Sequence, residues 1–262
     1  DGSEIWRVGL PGPARSAPAI AGGLVIVSLA DNGVVALETG SGRRAWTIPP
    51  SSEGARLLGG ASPTVYGSAA VVSLSKGDLV VLSATDGREF WRAALGSQRR
   101  YDFGTKFSDF GAPPAVVDNI LYASSAAGRT AALNMRSGAR LWEQRLGGPG
   151  GVWVAGDFVY VITDTSDLVC LFRPDGRIRW VQPLPRFKDP EDQSGPLSYA
   201  GPVLAGGRLL LTRSTGGLLQ FDPASGAAIA ELPTGGKTFL PPVVADGTVY
   251  TLTEDGTLSA FR

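Results

Sequence analysis

The stretch GVVALETGSGRRAW, residues 33–46, decides the fold. A β-branched apolar run ends in a turn rich in Thr, Gly and Ser, and a second strand then carries Trp46. The Gly-x-x-x-Trp spacing of Gly42/Trp46 recurs at Gly2/Trp6, Gly87/Trp91, Gly138/Trp142 and Gly176/Trp180. A further copy, Gly226/Ala230, has lost its Trp. Successive positions lie 40, 45, 51, 38 and 50 residues apart. This is the spacing of one four-stranded propeller blade per repeat.

Outward from that turn, each unit follows the same order. A small-residue–Pro step opens it, as at Ala17-Pro18, Ser62-Pro63, Pro113-Pro114, Gly201-Pro202 and Pro241-Pro242. A short apolar strand, a turn such as Ala21-Gly22-Gly23 and a second strand such as LVIVSL follow, and then the third strand and its turn. Glycine supplies the positive φ of tight hairpin turns. The β-branched runs suit strands covered on both faces. Trp6, Trp46, Trp91, Trp142 and Trp180 read as packing residues, each offering a large ring to an adjoining sheet and an N–H to a carbonyl. One blade cannot bury its own faces, so the units must stack.

The expected fold is therefore all-β, a propeller of four-stranded antiparallel blades, in a single domain over residues 1–262. The blade-like units span 11–50, 59–95, 111–146, 150–184, 198–234 and 239–262, the last joined with 1–10. The final unit stops before its turn and Trp strand, and residues 1–10 read as such a strand. A six-bladed ring closed by the two termini and a larger ring lacking its early blades both accommodate this phase.

Composition narrows the chemistry. Of 262 residues 43% are hydrophobic, and Lys+Arg balances Asp+Glu at 24 each. No global field favours nucleic acid or an anionic membrane surface. Thirty-six Gly and 19 Pro punctuate many short strands. Histidine is absent and Cys170 is the lone cysteine. That excludes an intrachain disulfide, a His-based zinc site, a Ser-His-Asp triad and a Cys-His pair. No apolar run approaches the roughly 18 residues of a membrane helix. No catalytic residue, metal site or cofactor is expected, and Gly-rich LGGPGG (146–151) lacks the Lys-Ser/Thr ending of a phosphate loop.

The A-L-x-x-x-[ST]-G-x-x-x-W unit resembles the pyrroloquinoline-quinone-type propeller repeat over the whole chain. From about Tyr101 to Arg262 the chain resembles the BamB family of the outer-membrane β-barrel assembly machinery. The segments carrying the resemblance are FSDFGAPPAVVDNILYASSAAGRTAALNMRSGARLWEQRLGG, VAGDFVYVITDTSDLVCLFRPDGRIRWVQ and FLPPVVADGTVYTLTEDGTLSAF, with the Trp-less FDPASGAAIAELP between the last two. The resemblance implies an eight-bladed ring anchored by an N-terminal lipid. This chain shows about six units and no lipidation Cys, which fits either a truncated member or a shorter relative.

The same resemblance implies a partner-binding patch with an apolar-x-apolar-Arg motif, matched here by Leu133, Met135 and Arg136, and a neighbouring acidic loop matched by Asp164 and Asp167. Arg favours carboxylates, and Met beside Arg is common at interfaces. A solvated turn Arg beside a half-buried Met, and Asp residues bonding their own backbone, are the plainer readings. A calcium site at the two Asp lacks a recognised ligand series. Long connections at 96–111 and 183–201 also break the repeat, and Arg99, Arg100, Tyr101 and Phe103 form a candidate aromatic-cationic rim loop.

Three functions fit these residues. The resemblance implies a non-enzymatic scaffold on the periplasmic face of the outer membrane, with no cofactor, binding BamA periplasmic domains and unfolded outer-membrane protein clients. Membrane association would come only through a lipid anchor outside this chain. A ligand-sensing propeller is the second. A quinone-dependent dehydrogenase fragment is the third, and its vicinal disulfide cannot form with Cys170 alone.

Overall fold

The computed structural model describes residues 2–51, 60–95 and 110–262. The chain divides into two compact units, Asp1–Leu141 and Trp142–Arg262. The candidate rim loop, Arg99, Arg100, Tyr101 and Phe103, lies outside the described residues.

The first unit begins with β1 (Ala19–Ala21), β2 (Leu24–Ser28), β3 (Val34–Glu38) and β4 (Arg44–Ile48), hydrogen-bonded in sequence order. The second sheet repeats that order with β5 (Thr64–Tyr66), β6 (Ala69–Ser73), β7 (Asp78–Ser83) and β8 (Glu89–Ala94). A single 3-10 turn, Ser75–Gly77, interrupts it. The third sheet holds β9 (Ala115–Val117), β10 (Ile120–Ser125), β11 (Arg129–Asn134) and β12 (Arg140–Gln144), and the boundary between the units falls inside β12.

The second unit continues with β13 (Val152–Ala155), β14 (Phe158–Ile162), β15 (Asp167–Phe172) and β16 (Ile178–Pro183). A two-stranded hairpin follows, β17 (Phe187–Asp189) with β18 (Ser194–Pro196). The fifth sheet is β19 (Tyr199–Ala205), β20 (Arg208–Arg213), β21 (Gly217–Phe221) and β22 (Ala228–Leu232). The sixth has three strands, β23 (Val243–Ala245), β24 (Thr248–Leu252) and β25 (Leu258–Phe261). Residues 2–10, expected to supply its fourth strand, form no strand. Instead Trp6 and Leu10 pack on Val27, Leu29, Val35 and Leu37 of the first sheet. The protein is thus all-β, built of propeller-type antiparallel sheets, as the repeat predicts.

The repeat is explained by one joint. Trp6 Nε1 donates to the Thr39 carbonyl at 2.8 Å, Trp46 to Ala84 at 3.1 Å and Trp91 to Met135 at 2.9 Å. In the second unit Trp142 donates to Arg173 at 2.8 Å and Trp180 to Pro223 at 3.2 Å. Each acceptor opens the turn that leads into the next Trp-bearing strand or its Ala230 counterpart, so each ring reaches forward onto the following sheet. The glycine of that turn lies under the ring. A Cβ on Gly138 would sit 2.7 Å from Trp91 Cδ2, and its φ of +72° already favours glycine. The Trp strand is aimed by a bulge. The pairing with its neighbour skips one residue just before Trp46, Trp91 and Trp180, between Ala36/Leu37, Val81/Leu82 and Cys170/Leu171. Such an extra residue kinks the strand and re-aims the next side chain.

Apolar residues fill the spaces between sheets. Ile26, Ala36, Val72 and Leu82 join the first and second sheets, with Trp46 against them. Val71, Val81, Leu121 and Leu133 join the second and third. In the second unit Tyr160, Cys170, Leu209 and Leu211 join the fourth and fifth. Burial pushes the Cys170 thiol up to about 11, so it is a neutral packing group at ordinary pH. No described helix is long and apolar enough to cross a membrane.

Candidate partner-binding site

The turn between β11 and β12 is built from its first polar residue. Asn134 Oδ1 accepts the backbone N–H groups of Arg136 and Ser137, each at 3.0 Å. The Gly138 N–H closes the turn onto the Asn134 carbonyl at 2.8 Å. A side-chain carbonyl bonding the backbone two and three residues ahead is an Asx-type turn, and it leaves little freedom for the residue between.

Met135 is therefore fixed from three sides. Its N–H donates to the Asn119 carbonyl at 2.9 Å, its own carbonyl receives the Trp91 indole, and its thioether packs inward. Only 5% of Met135 is exposed, and it shares a core with Leu79, Leu95 and Phe110. Leu133 belongs to the same core at 1% exposure. The sequence reading placed both side chains in a partner-binding patch. The structure turns them to the interior, because strand alternation and the docked indole face them toward the second sheet. Arg136 alone of the three is exposed.

Asp164 lies in the second unit, in the connection between β14 and β15, and Asp167 is the first residue of β15. Asp167 Oδ2 accepts from the Thr165 hydroxyl at 2.8 Å, and its N–H donates to Thr163 Oγ1 at 3.0 Å. Ser166 takes a φ of 63° to close the loop. This is turn chemistry, with Asp164 exposed beside it. The motif around Arg136 links the third and fourth strands of its sheet, whereas this loop links the second and third strands of its own. In an antiparallel sheet those two kinds of connection leave from opposite ends. The two segments thus occupy different positions in the repeat. Among the described residues no group of three or more His, Cys, Asp or Glu side chains is arranged to hold a metal ion.

Sequence reasoning missed a second departure from the repeat, in the fifth sheet. Ala230 stands opposite Gln220 in the β21–β22 ladder. The corresponding pairs elsewhere are Ala36 with Trp46, Val81 with Trp91 and Cys170 with Trp180. The lost Trp was visible in the sequence, but the amide placed across from it becomes apparent only with the register.

A family model described as "Outer membrane protein assembly factor BamB" matches residues 1–182 and 188–262. The chain belongs to the BamB family. The BamB of Yersinia pestis is 25% identical over all of this chain and 64% of its own length. That of Alkalilimnicola ehrlichii is 32% identical over 59% of this chain and 38% of its own length. The chain thus spans less than two thirds of these curated BamB relatives. Among solved structures, BamB from Moraxella catarrhalis superposes with a TM-score of 0.82 at 21% identity, covering 99% of this chain and 73% of that one. A europium-containing methanol dehydrogenase superposes with a TM-score of 0.68 at 12% identity, covering 93% of this chain and 66% of that one. The fold is therefore shared between BamB proteins and dehydrogenases, and fold alone does not choose between their functions.

Proposed function

We propose that this chain is a non-enzymatic scaffold in the assembly of outer-membrane β-barrel proteins, acting at the periplasmic face of the outer membrane within a lipid-anchored protein. The match to the BamB family along nearly the whole chain carries this reading. The partner would be a periplasmic domain of BamA, with unfolded barrel clients as further ligands. Arg136 would make the contact, offering its guanidinium to a carboxylate from the rigid Asn134 turn. Leu133 and Met135 would hold that turn in place from the core. Asp164 and Asp167 would meet basic groups from their own loop.

Pull-down of BamA periplasmic domains tests the assignment. Arg136→Glu is expected to weaken capture by at least about tenfold, the loss typical of a charged anchor. Capture equal to wild type would remove Arg136 from the interface. The dehydrogenase reading rests on the shared fold and the methanol dehydrogenase likeness. It is disfavoured by Cys170 being the only cysteine, since a vicinal disulfide needs two.

A further inference from the structure

The bulge that aims each Trp leaves one residue of its strand without a partner across the ladder. In the first, second and fifth sheets that residue is Ala45, Phe90 and Ile229, none of them charged. In the fourth sheet it is Arg179. The repeat needs the extra residue to re-aim the next side chain, and it sets no condition on what the residue carries. A cation here is an addition to the scaffold.

The Arg179 guanidinium lies over the Phe158 ring, 4.3 Å from its centroid. Phe158 stands opposite Phe172 in the β14–β15 ladder, with ring centroids 5.7 Å apart, and packs on the core between the fourth and fifth sheets. The ring is thus a fixed seat for an exposed arginine. A guanidinium stacked on a ring keeps its N–H fork for another partner. Neighbouring arginines are committed. Arg177 Nε donates to Asp175 Oδ2 at 2.6 Å, Arg173 donates to the Gly156 carbonyl at 3.1 Å, and Arg213 pairs with Glu231. Among the described residues no ion pair or hydrogen bond reaches the Arg179 guanidinium.

Three aspartates stand in the adjoining turns. Asp175 is taken by Arg177, Asp222 Oδ1 accepts from the Ala224 N–H at 2.6 Å, and Asp157 directly precedes Phe158. They balance Arg173, Arg177 and Arg179, so no diffuse positive field favours a phosphate-rich membrane surface. What remains is one uncommitted fork on β16, the last strand of its sheet. On the same strand Ile178 and Val181 are 49% and 47% exposed. They stand opposite Leu171 and Val169, on the other face from Trp180, which stands opposite Cys170. Phe158 shares the Trp180 face through Tyr160 and Cys170. The rim of β16 therefore offers a cation to one side and apolar groups to the other.

We infer that this rim, centred on Arg179 and its Phe158 seat, is a docking surface for an extended segment of another protein that alternates acidic and apolar residues. Successive side chains of such a segment point to opposite sides. Its carboxylate takes the guanidinium fork in two parallel hydrogen bonds, and its apolar neighbours cover Ile178 and Val181. Seating the fork in advance lowers the ordering cost of binding. The surface lies within the second unit and stands whether or not Arg136 meets BamA.

Titration of isotope-labelled protein, followed at the arginine Nε–Hε signals and the backbone amides of β16, tests it. The probe is an acetylated, amidated peptide of sequence SVEVEVS, with SVQVQVS as its uncharged counterpart. The signal lost in Arg179→Lys identifies Arg179. In wild type SVEVEVS is expected to shift that signal saturably, and SVQVQVS to bind at least about tenfold more weakly, since it lacks the charge-assisted pair. Arg179→Lys keeps the charge and removes the fork, so SVEVEVS binding, read at the Ile178 and Val181 amides, should weaken by about fivefold or more. Arg136→Glu should bind the peptide as wild type does. Absence of a saturable shift overturns the surface. Equal affinity of the two peptides, or wild-type affinity in Arg179→Lys, overturns the carboxylate contact. A loss in Arg136→Glu as large as that in Arg179→Lys removes the contact from this rim. Phosphatidylglycerol vesicles that displace SVEVEVS from the Arg179 signal overturn the protein partner in favour of a membrane.

Discussion

The space between the second and third sheets and the space between the fifth and sixth start from the same repeat and end differently. In the first, Trp91 lies on Gly138, bonds the Met135 carbonyl and is backed by a buried methionine. In the second, Ala230 offers a methyl, Gln220 replaces the apolar residue across the ladder, and the space stays open. One joint is over-filled relative to the repeat, and the other is under-filled. The backbone ladder is nearly unchanged, bulge included, since the skip between Gln220 and Phe221 remains. The strand frame therefore does not depend on the Trp. Where the ring is present it bonds a turn of the following sheet, and at Ala230 no indole makes that bridge.

Trp91→Ala should break the contrast most strongly. It removes a large ring and leaves the Met135 carbonyl without its indole donor. A loss of about 3–4 kcal/mol is expected, read as the shift of the chemical-unfolding midpoint. An unfolding free energy within error of wild type would show that the joint contributes nothing. Met135→Ala attacks the same joint from the other side, and the cavity it leaves should cost about 2–3 kcal/mol. If Met135 served only as an exposed contact, its truncation would leave stability unchanged.

Ala230→Trp sharpens the contrast from the open side. Added apolar burial should raise the thermal midpoint, with a gain of about 1 kcal/mol after side-chain ordering. A lowered midpoint would mean that Arg208 and Gln220 already fill the space the ring needs. Arg136→Glu, on the exposed part of the turn, should change stability by less than about 0.5 kcal/mol, which separates its effect on partner capture from any effect on folding.

The smallest effect concerns the turn that receives Trp46. The Ser83 hydroxyl, then the Arg88 backbone N–H, hold the Asp86 carboxyl below its ordinary value. A depressed folded pKa gives stability that is fully present above the unfolded value and lost as pH falls through the folded one. Asp86→Asn should therefore unfold slightly below wild type at about pH 7, and the two should converge in strong acid. A gap in thermal midpoint that persists unchanged to low pH would remove the carboxylate from the turn's stability.

The frame of the molecule was readable because it is periodic. Gly-x-x-x-Trp locates the strands that carry Trp46, Trp91, Trp142 and Trp180, and the short apolar runs locate the rest. The inward turn of Met135 was not readable. It depends on Leu95 and Phe110, which lie 40 and 25 residues away in sequence, and on a backbone carbonyl that leaves no trace in side-chain identity. For the same reason Leu133 looked like part of a surface motif and lies in the core. The place of Gln220 was invisible because only the ladder register sets it across from Ala230. The missing strand of the sixth sheet eluded the repeat because Trp6 satisfies its docking rule on the first sheet whether or not its segment joins a ladder.

The tryptophan joint carries no address. Its acceptor is always a main-chain carbonyl and its floor a glycine, groups that every repeat owns, and the residues at the five acceptor positions are as unlike as Thr39, Ala84, Met135, Arg173 and Pro223. The indole joint alone therefore does not set the order of the sheets, which is left to the connections and to the apolar side chains that meet between particular sheets. During refolding of a diluted chain this permits neighbours to be mismatched, and two chains to exchange a terminal sheet at little cost. A tandem array cut and rejoined between repeats should assemble as readily as the original, whereas shortening a single connection should not be forgiven.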